Sequence, residues 1–114
     1  MFPEYKIIEK AERYYGTYKA SATTGTINRN QQIIIGLCDM MLQIWQEWQN
    51  DTRHYQPSQK TYRGYLERIK ADEARLDQNL LEYKTGKQVI KDCREFVKLV
   101  VLYRVRDQRK CNVF

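Results

Sequence analysis

Seven residues, Tyr62, Leu66, Ile69, Glu73, Leu76, Leu80 and Tyr83, follow one another at intervals of four, three, four, three, four and three. That spacing gathers them on one side of an α-helix, whereas on a β-strand it would scatter them over both faces. It therefore predicts a long helix over about residues 58–84, roughly 40 Å at 1.5 Å per residue, carrying a heptad seam. Gly86 in "KTGK" is expected as its C-terminal cap. A helix of this length is long for so small a domain, and its end is expected to project and pair with another chain.

Three more stretches repeat at the same period. From Pro3, a favoured first helical residue, to about Ala20, the positions Ile8, Ala11, Tyr15 and Tyr18 share one face. "SATTGT" interrupts the pattern, and its Ser and Thr hydroxyls are expected to cap the next helix. That helix, about Ile27–Trp48, has apolar residues from Ile33 to Trp48 in an arc too wide for a single contact. Such an arc implies a central helix with several neighbours, or one face kept for a partner. The last stretch, about Lys87–Arg106, aligns Val89, Cys93, Phe96, Val100 and Tyr103. Its β-branched end favours a strand, but the three/four spacing continues through it. The expected fold is all-α: a small up-and-down helical bundle of about four helices, with short connections between antiparallel neighbours. Residues 1–105 form one domain and residues 106–114 a short basic tail.

The chain has 114 residues, enough for one hydrophobic core and not for two. Its N-terminus, "MFPEYKIIEK", has charges where a secretion signal needs apolar residues, and "IIIGLC" and "LVVLY" are too short to span a bilayer. Three cysteines without CxxC spacing, beside a single histidine, imply neither a disulfide framework nor a metal site. They read as reduced thiols in a cytoplasmic protein. No cofactor, metal, membrane or small-molecule substrate is expected. His54 stands alone on a polar loop, and carboxylate pairs such as Asp72 and Glu73 sit among basic residues as ordinary ion pairs, so the chain is read as a non-enzyme.

The charge is more informative. The net +6 is uneven: residues 53–70 carry +4 and residues 84–114 carry +6, with acidic segments between. In "RHYQPSQKTYRGYLER", residues 53–68, tyrosines alternate with cations. Rings beside guanidinium groups can stack bases while the charges hold phosphates, which grips a single strand without reading its sequence. The candidate nucleic-acid contacts are Arg53, Tyr55, Lys60, Arg63, Tyr65 and Arg68, joined by Arg104, Arg106, Arg109 and Lys110 near the C-terminus. On this reading the chain binds single-stranded RNA or DNA as a subunit of a larger nucleoprotein assembly. The alternative is a protein-binding adaptor or inhibitor, for example one encoded by a phage, that docks on an acidic protein through Trp/Tyr-rich helix faces. Trp45 and Trp48 would be its anchors. Glu73, a carboxylate in an apolar seam, would be exposed, be met by Arg29 or Arg104, or fix the register of a self-association.

Overall fold

In the computed structural model the repeating apolar spacing becomes four α-helices: α1 (Pro3–Thr24), α2 (Arg29–Asn50), α3 (Gln59–Arg75) and α4 (Tyr83–Val113). The structure describes the backbone of residues 3–50 and 59–113, and side chains within residues 5–50 and 61–100. Lys10 facing Asp92 and Tyr18 facing Glu82 run α1 antiparallel to α4. Gly36 facing Arg68 and Asn30 facing Asp77 run α2 antiparallel to α3. The result is an up-and-down four-helix bundle. α2 and α4 each touch both other helices, while α1 and α3 do not meet, so the cross-section is a rhombus with α2 and α4 across its short diagonal.

The core follows from that placement. α2 buries Ile33, Ile34, Leu37, Met41 and Ile44 against Ile8 and Ala11 of α1 and Val89, Cys93 and Phe96 of α4. The wide arc of α2 is therefore spent on three neighbours inside the chain. Trp45 and Trp48 belong to it: they are 8% and 9% exposed, their rings are 5.2 Å apart, and Trp45 lies 6.3 Å from Phe96. The expectation that both stand outside as interface anchors is corrected by this burial. α3 is the peripheral helix. Among its described residues Ile69 is the one buried apolar side chain, and Tyr62 and Tyr65 lean on the core half-exposed.

The long helix is α4, not residues 58–84. The heptad spacing continues past Arg75, but the chain leaves the helix there because another element offers its backbone better partners. Asn30, fully buried on α2, donates through Nδ2 to the carbonyls of Asp77 (2.8 Å), Leu81 (3.2 Å) and Leu80 (3.4 Å). Its Oδ1 accepts the Asp77 N–H at 2.8 Å. The Asp77 carboxylate accepts the Asn79 N–H (2.9 Å), an Asx-turn that competes with helix. Leu80, released from the seam, and its neighbour Leu81 face solvent at 36% and 75% exposure.

Gly86 is not a C-terminal cap. It is buried in the first turn of α4, where a Cβ would come within 2.7 Å of Leu76 Cδ2. Glu82, immediately before α4, has φ 69°, and its side chain accepts a 2.7 Å hydrogen bond from the Tyr18 hydroxyl. The cap of α2 also differs from expectation. The Ser21, Thr23 and Thr24 hydroxyls bond back to carbonyls of α1, which runs on to Thr24. Asn28 caps α2 instead: its Oδ1 accepts the Gln31 N–H, and Gln31 Oε1 accepts the Asn28 N–H, both at 2.9 Å. α4 carries the backbone of residues 106–113 as its last turns. Among the described residues no helix is long and apolar enough to cross a membrane.

Candidate nucleic-acid interface

Lys84, Lys87, Lys91, Arg94 and Lys98 follow one another along α4 at intervals of three, four, three and four, which puts all five on one side of the helix. All are exposed, and the row is about 21 Å long at 1.5 Å per residue. The opposite side of α4 is the apolar stripe of Val89, Cys93, Phe96 and Val100. Burial of that stripe against α1 and α2 is what turns the cations outward.

α3 lies alongside and converts the row into the wall of a groove. At one end an open hollow of about 560 Å³ is lined by Tyr83, Lys84, Lys87 and Lys91. At the other, a hollow of about 670 Å³ is lined by Tyr62, Leu66 and Leu99, with Lys91 and Lys98 at its edge. Lys91 and Arg94 line both, so the two are halves of one depression. Between them Arg94 reaches across to Glu73 of α3, with Nη2–Oε1 at 2.7 Å and Nη1–Oε2 at 3.2 Å. The hydrogen bonds from Arg94 hold the Glu73 carboxyl below the usual carboxylate range, and Glu73 in turn raises Arg94. Lys84, Lys87, Lys91 and Lys98 make no ion pair among the described residues; the Lys87 ammonium lies 5.9 Å from the centre of the Tyr83 ring.

Of the nucleic-acid contacts expected from the sequence, the three with described side chains fall elsewhere. Arg68 is exposed but lies along α2, donating to the Gly36 carbonyl at 3.2 Å and lying 3.8 Å from Asp72, so part of its donor capacity serves the α2–α3 contact. Tyr65 is half-buried against the core, and Arg63 is exposed on α3 but lines neither hollow. Arg53 and Tyr55 lie outside the described residues, as do the side chains of Lys60, Arg104, Arg106, Arg109 and Lys110. Glu73 is met by Arg94, and among the described residues Arg29 makes no ion pair with it; the side chain of Arg104 lies outside the described residues. The lysine row was visible in the sequence as a three/four repeat, the signal used to find apolar faces, within the segment of charge +6.

Among the described residues no group of three or more His, Cys, Asp or Glu is placed to hold a metal ion. No known protein family, curated protein or solved structure shows significant similarity to this chain.

Proposed function

We propose that the chain binds single-stranded nucleic acid in the groove between α3 and α4, as a non-catalytic cytoplasmic subunit of a larger nucleoprotein assembly. The observation that carries this reading is the row of five cations beside a partly aromatic groove, whose described lining includes two carboxylates, Glu73 and Glu95. Successive phosphates pair with Lys84, Lys87, Lys91 and Lys98, while bases rest on the exposed edges of Tyr62 and Tyr83. The buried, unbridged thiols of Cys38 and Cys93 suit a reducing compartment. The rival reading, an adaptor docking on an acidic protein, relied on Trp45 and Trp48 as exposed anchors, and both are in the core. No other observation favours it.

Fluorescence anisotropy with a labelled 20-nucleotide single strand, RNA and DNA in turn, tests the proposal. Binding at 50 mM salt is expected to weaken as salt rises, with a slope of log K against log salt of up to about −2.8, or about −0.7 for each of four lysine contacts. Lys87→Glu with Lys91→Glu should lower the affinity at least tenfold and flatten that slope, leaving helicity unchanged. No binding to either strand at 50 mM salt removes the reading.

A further inference from the structure

The middle of the groove is closed by a pair of its own making. Arg94 stands fourth of the five cations, with Lys84, Lys87 and Lys91 on one side and Lys98 on the other, yet both its outer nitrogens are held by Glu73. Neither side chain is buried: they are 43% and 34% exposed. The bidentate carboxylate occupies the geometry a phosphate would take on the same guanidinium. An exposed pair of this type is weakly held, because solvent screens it and two long side chains must be ordered to form it.

On the reading that this groove binds a strand, we infer that Glu73 is a built-in competitor for Arg94, which lowers the affinity of the groove for that strand. A ligand carboxylate gains little by displacing Glu73, since it exchanges one carboxylate for another and must give up its own freedom. A phosphodiester chain displaces it because neighbouring phosphates engage Lys87, Lys91 and Lys98 in the same event, so the exchange at Arg94 is nearly intramolecular. Opening the Glu73 pair is thus a fixed cost for any ligand that reaches Arg94. The role differs from self-association through a seam, because Glu73 lies on the groove wall facing α4.

The test compares wild type with Glu73→Gln, which keeps the shape and removes the charge. The probes are labelled oligo-dT of 20 nucleotides and labelled poly-glutamate of equal length. Wild type should bind oligo-dT well above poly-glutamate. Glu73→Gln should tighten oligo-dT about two- to fivefold, the range of a released surface pair, and steepen its salt slope by about 0.7. It should tighten poly-glutamate by no larger a factor, because the cost of breaking the pair is the same for both probes. Adding Arg94→Gln should abolish both gains, whereas Arg94→Gln alone should cost wild type little. If wild type binds oligo-dT and Glu73→Gln leaves affinity and slope unchanged, the competitor role falls while the groove reading stands. If wild type binds neither probe, the groove reading falls and takes this one with it. Thermal unfolding of each variant separates these outcomes from loss of the fold.

Discussion

At Asn30 every side-chain hydrogen-bonding atom is directed to the connector between α3 and α4, and none to its own helix. A buried amide of this kind stabilises mainly by what its removal would leave unpaired: three carbonyls and one N–H. Asn30→Ala is expected to cost about 2–4 kcal/mol, seen as a lower urea midpoint. Asn30→Asp should cost more, since it sets a carboxylate oxygen against the carbonyls of Asp77, Leu80 and Leu81 with no donor to offer them. Equal stability of the two variants would show that the amide donors do not hold the connector. Nothing local in the sequence marks Asn30, because its partners lie 47 to 51 residues away and a polar residue near a helix start is unremarkable. The Arg94–Glu73 pair was hidden for a related reason. Glu73 was visible as a polar residue in an apolar seam, but its partner depends on which helix lies opposite.

Periodicity served well for the helices whose apolar faces meet the core. Ile8, Ala11 and Tyr18 on α1, and Val89, Cys93, Phe96 and Val100 on α4, are buried where their spacing put them. It failed at the end of α3, where Leu76, Leu80 and Tyr83 keep the period but Asn30 and the Asp77 turn redirect the backbone. Spacing reports which residues could share a face, not whether a competing set of hydrogen bonds ends the helix. Glycines inside the helices test the same distinction between local preference and tertiary fit. A Cβ at Gly16 or Gly64 would meet nothing within 4 Å. Gly16→Ala and Gly64→Ala should each therefore stabilise by about 0.5–1 kcal/mol, the gain in helix propensity. Gly86→Ala gains the same propensity but drives a methyl group into Leu76, so thermal unfolding should show no stabilisation and a loss if Leu76 cannot turn aside. A Gly86→Ala variant as stabilised as Gly16→Ala would mean that the start of α4 does not pack tightly on the end of α3.

At the scale of the molecule, three acidic groups among the described residues hold their protons to unusually high pH: the thiols of Cys38 and Cys93 in the core, and the Tyr18 phenol beside Glu82. Burial pushes the Cys38 thiol up to about 12, with Asp92 adding to the shift. Burial likewise pushes Cys93 up to about 12, with Cys38 adding to it. The Tyr18 phenol is raised by burial first and then by its hydrogen bond to Glu82 and the charge there. For each group the folded state holds its proton to higher pH than the unfolded chain does. Their contribution is therefore fully present below the unfolded thiol value of about 9 and falls as pH rises from there toward 12. Above pH 9 the unfolded chain releases thiol protons that the folded chain keeps, and each thiol then removes up to about 1.4 kcal/mol per pH unit. Urea unfolding under reducing conditions should show this as a steep loss of stability between pH 9 and 10.5, made shallower by Cys38→Ala. The same burial denies both thiols to reagents, so in a Cys111→Ser background native protein at pH 8 should alkylate only as fast as it unfolds. Rapid alkylation at pH 8, or a flat stability profile up to pH 10.5, would mean that α2 and α4 are not closed over these thiols. The lysine row would then lose the packed scaffold that turns it outward.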